Sequence, residues 1–251
     1  MKKLLLQSAL LAAGFLLLAG CTNVATFDYS AAAEPMVSFA GPPEAKSIAV
    51  LPFLDQRSRK SLQQLAPAAD SGSFYLGLLP LMPYGYVKKP FPERSDDFVS
   101  LGRFHFNPSL DLAEASVLSL KASRLFGRVE LADSAGRTDA EYLWRGSVNN
   151  TFYSGAMLTY CISYFLSPAL WAVGVPEGVS RNALGVSFEL VERATGRTVW
   201  RYDYDGEDYI VHWIYARIGK DVSLYADLMR QALNLALSDL APRLPELQRS
   251  R

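Results

Sequence analysis

The chain has 251 residues, of which 25 are basic and 25 acidic, and half of its residues are hydrophobic. This balance excludes a strongly basic chain and gives no electrostatic case for nucleic-acid binding. The hydrophobic fraction is sufficient for one core of ordinary size.

The amino terminus has the three parts of a secretory signal peptide. Met1 is followed by two lysines, residues 4–18 are almost wholly apolar, and two small residues precede Cys21. The apolar run is too short for a good spanning helix. Leu-Ala-Gly-Cys at 18–21 resembles the bacterial lipoprotein box, whose cysteine receives diacylglycerol and, after cleavage, an acyl chain such as palmitate. We expect a signal peptide over 1–20 and lipidation of Cys21; an ordinary cleaved signal with a chance cysteine is the alternative.

The acyl chains would hold the mature protein on a membrane, because each buried methylene contributes about 0.8 kcal/mol. Thr22 rather than Asp follows the cysteine, which by resemblance to enterobacterial lipoproteins favours the outer membrane and its periplasmic face. Residues 21–45 are small, polar and proline-containing, and lack a sustained period. They are expected to form an acylated tether.

The expected folded domain, 46–245, begins with an apolar run at 48–53 that predicts a buried strand ending near Pro52. Residues 55–107 contain closely spaced prolines that exclude a long regular element, so we expect an ordered, irregular surface insertion. A basic turn in this insertion, either solvated or meeting anionic glycan or lipid headgroups, comprises Arg57, Arg59 and Lys60.

The clearest predicted helix starts near Asn107 or Ser109, either of which is expected to cap it. Gly127 is expected to follow the helix, and 129–131 to form the next strand. The expected apolar stripe comprises Leu110, Ala113, Val117, Leu118, Ala122 and Leu125.

Residues 141–153 alternate in part and are rich in aromatic side chains, which predicts a half-buried strand. Residues 183–206 predict a hairpin, with a turn at 194–196 in which Gly196 can take a positive φ.

The last element is a helix that Pro242 is expected to end. Its predicted apolar face comprises Val222, Tyr225, Leu228 or Met229, Ala232, Leu233, Ala236, Leu237 and Leu240. The element order is β-α-β-β-β-β-α. It predicts an α+β, α/β-like single domain in which two main helices pack on one face of a mostly antiparallel sheet.

The apolar segment 156–176 allows three interpretations. Polar residues and Pro168 weaken a membrane-spanning helix, which would also divide one sheet between two compartments. Core packing between two strands is the second interpretation. The third is an exposed excursion that contacts the bilayer interface or a partner through Tyr164, Phe165, Leu170 and Trp171.

No catalytic or metal-binding motif is recognisable. His105 and His212 lack ligand spacing, and each is expected to be a structural hydrogen-bonding residue. The acidic cluster at 203–208 offers some oxygens for calcium, but a solvated strand end explains it better. With Cys21 lipidated, Cys161 has no disulfide partner and is expected to be a buried thiol. We therefore expect no enzyme activity, no cofactor and no metal.

Four stretches together resemble a set of bacterial envelope lipoproteins: SIAVLPFLDQR, ASRLFGRVEL, AEYLWRGSV and LVERATGRTVWRYDY. The set includes the curli secretion-channel lipoprotein, the exopolysaccharide-export lipoprotein PelC and the penicillin-binding-protein activator LpoB. The resemblance spans 46–244 and implies a small α/β domain that acts by binding and assembly. It carries over no catalytic residue.

Two functions follow as expectations. The first is a non-enzymatic outer-membrane lipoprotein that is an accessory or assembly component of an envelope export system, with an envelope protein or further copies of itself as partner. The second is a binding regulator of a periplasmic cell-wall enzyme. The expected working surface combines the segment around Trp171 with the insertion around Tyr84 and Tyr86.

Overall fold

A computed structural model of the chain describes residues 25–27, 44–57, 74–76, 84–89, 91, 104–158, 160, 167–213, 215–216 and 224–249. Cys21, Arg59, Lys60, Cys161, Tyr164, Phe165 and Val222 lie outside these residues. The helices are α1 (Pro108–Ser123), α2 (Ser167–Ala172) and α3 (Leu224–Arg249), and a single 3-10 turn covers Ala135–Arg137. The strands are β1 (Ala25–Thr26), β2 (Glu44–Val50), β3 (Leu54–Asp55), β4 (Phe74–Leu76), β5 (Tyr84–Lys89), β6 (Phe104–His105), β7 (Phe126–Leu131), β8 (Tyr142–Met157), β9 (Gly178–Glu192) and β10 (Thr198–His212).

One mixed sheet organises the domain, with strand order β10-β9-β8-β2-β7. The long strands β8, β9 and β10 are antiparallel, whereas β2 is parallel to both β7 and β8. β3 and β5 continue the pairing along β8, beyond β2. The predicted α+β class, the mostly antiparallel sheet and the order of the main elements are confirmed.

Helices α1 and α3 pack on one face of the sheet and share one apolar core with it. Trp144 lies at its centre, with ring centroids 5.6 Å from Trp200 and 5.3 Å from Phe188. On the other face, a small cluster around Leu143 and Val191 covers one end of the sheet. Most of the burial that stabilises the domain therefore lies between the sheet and the two long helices.

The predicted apolar stripe of α1 is wrong at two positions, because Leu110 and Leu118 are 43% and 41% exposed. The buried face is rotated and comprises Leu112, Ala113, Ala115, Ser116, Val117, Ser119, Leu120 and Ser123. Buried serines are tolerated there because Ser116 and Ser123 donate to backbone carbonyls three or four residues earlier. The buried face of α1 therefore contains alanine and serine side chains, whereas hydropathy predicts leucine and other large apolar side chains there.

Both ends of α1 differ from a simple capping pattern. Asn107 occupies the N-cap position without a capping side-chain bond, and instead its backbone N–H donates to Asp111 Oδ2 at 2.6 Å. The helix ends at Arg124, which has a left-handed φ of 58°, and Gly127 lies inside β7. Arg124 therefore has the helix-ending, left-handed conformation that was expected near Gly127, and it does so three residues earlier in the chain.

The prediction that Pro242 ends the last helix is wrong, because α3 continues through Pro242 and Pro245 to Arg249. Pro242 is exposed, so its ring meets no packed neighbour, and Leu244 beyond it is only 2% exposed. Apolar contact beyond the proline keeps the chain on the helical path. The predicted apolar face of α3 is confirmed at every described position.

The insertion 55–107 contains regular structure, contrary to the prediction of a wholly irregular segment. β4 pairs with β5, and β5 pairs in turn with the last part of β8. The prolines that separate these short strands restrict their length without excluding strand pairing. Part of the insertion is therefore an extension of the sheet.

The expected tether 21–45 is also not free along its length. β1 pairs in parallel with β6, and Phe27 is 5% exposed. The Phe27 ring stacks on Phe106 at 5.3 Å, and Phe106 stacks on Tyr225 at 5.4 Å. Composition predicts flexibility, but one aromatic side chain finds a place in the core and fixes the segment around it. The domain also starts at Glu44, two residues before the expected boundary.

The predicted hairpin is confirmed, with Gly196 at a φ of 68° in the turn. Its strands reach far beyond 183–206, to Gly178 and His212. The predicted strand ending near Pro52 is confirmed as β2, which stops at Val50.

Candidate contact surface at one end of the sheet

The candidate site lies where β8 ends, β9 begins and β10 ends. Met157, Gly178 and His212 form the last paired row of these three strands. The segment 156–176 joins β8 to β9 at this row, and it contains no Asp, Glu, Lys, Arg or His. A sequence of this length without charge is unusual, because about a quarter of the residues of a soluble domain are charged.

Short helix α2 holds this segment on the domain through Trp171. This residue is 9% exposed, and its indole N–H donates to the backbone oxygen of Leu158 at 3.0 Å. The expectation that Trp171 is presented to a membrane or partner is therefore corrected: burial and this hydrogen bond assign it a structural role. Leu170 is half-buried. No described helix is long and apolar enough to cross a membrane.

The exposed side chains are neighbours of those that the sequence singles out. Val173 is 77% exposed, Tyr215 72% and Tyr160 40%. The Tyr215 hydroxyl donates to the oxygen of Ala172, and the Tyr160 hydroxyl to that of Pro176, both at 2.7 Å. Because both hydroxyls have backbone acceptors, the rings and the valine present mostly hydrocarbon to solvent. We call the surface formed by Tyr160, Val173 and Tyr215 the aromatic end.

The backbone of the aromatic end is tightly specified. Tyr160 has a positive φ of 54°, a conformation that costs a bulky residue about 1 kcal/mol or more. Gly174 has a φ of 94°, and its N–H donates to the oxygen of Trp171 at 3.0 Å. Burial also raises the pKa of the Tyr160 hydroxyl, which stays protonated and able to donate. The exposed rings are therefore held in place rather than left loose.

A polar row supports this end from inside the sheet. Ser180 Oγ lies 2.8 Å from His212 Nε2, and both residues are buried. The backbone N–H of Glu177 donates to the oxygen of His212, and that of Leu158 to the oxygen of Glu177, both at 2.8 Å. The expectation that His212 is a structural hydrogen-bonding residue is confirmed by this geometry. His105 is an exposed residue of β6, in another part of the fold.

The structure brings together the two regions that the sequence proposes as one surface. Tyr84 and Tyr86 lie in β5, where Tyr86 pairs with Ala156, the first residue of the charge-free segment. On its other side Ala156 pairs with Val179. The insertion and the segment 156–176 therefore meet at the same end of the sheet.

Three residues of the acidic cluster, Asp203, Asp205 and Glu207, lie on the helix-free face of β10, and Asp208 alternates to the other face. Hydrogen bonds from Arg201 and Ser187 lower the pKa of Asp203, and Glu207 forms an ion pair with Arg181. Asn149 on β8 donates to Ser187 Oγ at 2.7 Å, which extends this polar network across three strands. Within the described ranges no three His, Cys, Asp or Glu side chains converge as metal ligands would. The network matches the solvated strand that the sequence favours.

The first residue of the predicted basic turn has a structural role. The guanidinium of Arg57 pairs with Asp55 at 2.7 Å and lies 4.8 Å from the centre of the Phe91 ring. It also donates to Thr151 Oγ1 at 2.5 Å, which links the insertion to β8. Its side chain is only 3% exposed, so it is not the solvent-facing cation that a headgroup site requires.

Comparisons with known proteins give structural likeness alone. No family model matches the chain, and no curated protein matches it. Similar solved structures include the Xanthomonas campestris protein XCC0632 (10% identity, TM-score 0.44, 91% of this chain and 98% of that chain), and PelC from Paraburkholderia phytofirmans, a dodecamer (15%, 0.35, 80% and 93%). Lipoprotein GNA1162 from Neisseria meningitidis is also similar (12%, 0.22, 75% and 99%). Since these TM-scores and identities are low, function has to be argued from the residues of this chain.

Proposed function

We propose that the protein is a non-enzymatic lipoprotein of the outer membrane, anchored through Cys21 on the periplasmic face, and that it serves as an accessory or assembly component of an envelope export system. The observation that carries this proposal is the aromatic end, an exposed hydrocarbon surface in which Tyr160 and Val173 belong to a segment without charge and Tyr215 follows β10. A surface of this kind is typical of contact with a membrane or another protein.

The described polar groups support contact rather than catalysis. Arg201 with Asp203, Arg181 with Glu207 and Arg57 with Asp55 are ion pairs, and His212 lies beside Ser180 inside the sheet. The first two pairs lie on the paired strands β9 and β10, Arg57 and Asp55 lie at β3, and His212 is buried, so these groups do not line one cleft. A catalytic centre instead gathers groups with perturbed pKa values in one cleft.

The anchor is tested by mass analysis of the mature protein from cells. We expect an amino-terminal Cys21 carrying acyl groups, recovered in the outer-membrane fraction. The Cys21→Ser variant is expected to carry no acyl groups and to be released from the outer-membrane fraction by a carbonate wash, whereas Cys161→Ser, the matched control, stays in that fraction. Wild-type protein without acyl groups would contradict the proposal.

The assembly role is tested by photo-crosslinking in intact cells. A photoreactive residue at Tyr209, which is 69% exposed on the helix-free face and does not belong to the aromatic end, reports on protein contacts of that face. Leu54 and Leu235, 62% and 51% exposed, serve as further positions on other surfaces. We expect crosslinks to an envelope protein or a second copy from one of these surfaces. The absence of a protein crosslink from all three would contradict an assembly role.

A further inference from the structure

We propose that the aromatic end rests in the interface of the same bilayer that holds the acyl chains, so that the domain stands on the membrane at two points. This inference names the partner of the aromatic end and rests on the lipidation of Cys21 in the proposed function. The occupant is a lipid surface, and it follows from the position of the amino-terminal arm.

The first step is the short distance between the anchor and the fold. Ala25 is paired with Phe104, and Phe27 is buried against Phe106. Cys21 precedes Ala25 by four residues, which span at most about 14 Å even when fully extended. The anchor therefore confines the domain surface near β1 to the vicinity of the bilayer.

The second step locates this arm along the sheet. Phe106 stacks on Tyr225, whose hydroxyl donates to the oxygen of Phe152 at 2.9 Å. Along β8, Phe152 is five residues from Met157, the last residue of the strand, which is a distance of about 17 Å. It is ten residues, or about 33 Å, from Tyr142, the first residue of the strand. The anchor and the aromatic end therefore share one half of the molecule.

The third step is the chemistry of the surface that this geometry turns toward the lipid. Tyr160 and Tyr215 direct their hydroxyls to backbone carbonyls, and Val173 is exposed to solvent. Tyrosine is enriched at the level of the lipid headgroups, where an apolar ring and a polar atom are both satisfied. A segment without charge also avoids the desolvation penalty of entering that region.

The opposite end of the same strands has the character expected of a water-facing end. The turn between β9 and β10 and the residues beside it carry Arg128, Asp139, Glu141, Arg193 and Arg197. An orientation with this end on the membrane would bury several charges and place the anchor too far away. The geometry thus selects one orientation of the domain.

The test measures binding of the full mature chain, carrying Cys21→Ser and therefore no acyl groups, to neutral phosphatidylcholine vesicles by flotation. Val173→Asp is expected to lower the bound fraction about tenfold relative to the parent, because it removes exposed apolar area and adds a charge. Leu235→Asp, the matched control on α3, is expected to leave binding unchanged. Both positions are exposed, and equal thermal midpoints would confirm intact folds.

The outcomes separate this inference from the proposed function. Equal binding of the parent, Val173→Asp and Leu235→Asp chains overturns the inference even if wild-type Cys21 is acylated. A selective loss in Val173→Asp supports contact between the aromatic end and lipid. If mass analysis then finds Cys21 without lipid, the anchor and the two-point attachment fail with the proposed function, whereas the lipid contact itself stands. Photo-crosslinking from position 173 to a protein instead of lipid would assign the aromatic end to a protein partner and also overturn the inference.

Discussion

The two ends of the long antiparallel strands differ in the way they meet solvent. At one end the segment 156–176 has no charge and exposes Val173, and Tyr215 is exposed just beyond the end of β10. At the other, the turn after β9 exposes Arg193 and Arg197 beside the Arg128–Asp139 ion pair. The same three strands, β8, β9 and β10, run through both ends, so the fold alone does not explain why one end is apolar and the other charged. The proposed orientation explains it, with the first end facing lipid and the second facing water.

The largest expected effect is a loss of folding stability when an aromatic ring is removed from the core between the two ends. Trp200 stacks on Trp144, and its indole N–H donates to Asp239 at 2.8 Å. Trp200→Ala is expected to lower the free energy of unfolding by about 3–5 kcal/mol, because it leaves a cavity and removes one hydrogen bond to Asp239, whose ion pair with Arg243 remains. Urea denaturation measures this loss. The loss should be smaller in Trp200→Phe, which keeps an aromatic ring at this position. A loss below that of Leu235→Ala would contradict this account of the core.

The second effect tests the docked amino-terminal arm. Phe27→Ala removes a buried ring stacked on Phe106 and is expected to lower the free energy of unfolding by about 3 kcal/mol. It should also make the chain between Cys21 and Ala25 accessible to proteases. If stability and protease resistance equal those of the wild type, the arm is a free tether and the orientation argument fails.

The third effect is confined to the aromatic end. Trp171→Ala removes the side chain that fixes α2 and is expected to speed amide exchange at Gly174 and Val175 at least about tenfold. Exchange at the Trp200 amide should stay the same, because the main core is untouched. Hydrogen exchange with mass spectrometry resolves the two regions, and uniform acceleration would show that they do not open independently.

The smallest effect belongs to the water-facing end. The Arg128 guanidinium holds the pKa of Asp139 below its ordinary value of about 3.9. A lowered pKa in the folded state means that the pair stabilises above that value and that its contribution disappears as the pH falls through the lower one. Both side chains are exposed, so Asp139→Asn is expected to shift the thermal midpoint at neutral pH only slightly, and not at all in high salt. A large shift that persists in high salt would show that the pair is shielded from solvent.

Periodicity predicts the long elements because their burial follows simple rules. The β10 strand alternates along its length, and α3 repeats its apolar residues at helical spacing. The rotated face of α1 is not predictable in this way, because its buried serines donate to their own helix and register as polar. Local rules also predict that Pro242 ends the last helix. The helix continues because Leu244, beyond the proline, is buried in the core.

The sequence predicts which segment forms the candidate surface, but it does not predict which side chains of that surface are exposed. Hydropathy and aromatic content locate it in 156–176, and Tyr86 in β5 lies next to Ala156 as the combined surface requires. The exposed residues prove to be Val173 and Tyr215 rather than Trp171, because indole burial depends on one backbone acceptor, at Leu158. Tyr215 lies beyond β10, and only the sheet brings it to Ala172. Phe27 has no periodic neighbours, so its docking carries no sequence signal.

The most direct test of two-point attachment is quenching of tryptophan fluorescence by brominated lipid in vesicles that hold the acylated wild-type protein. Trp213 follows the end of β10, whereas Trp200 lies twelve residues before that end, about 40 Å away. Quenching should be strong in the wild type and in Trp200→Phe, and should fall sharply in the double variant Trp171→Phe/Trp213→Phe, because Trp171 lies at the same end. Quenching that is absent, or that survives in the double variant and is lost in Trp200→Phe, would show that the aromatic end faces away from the membrane.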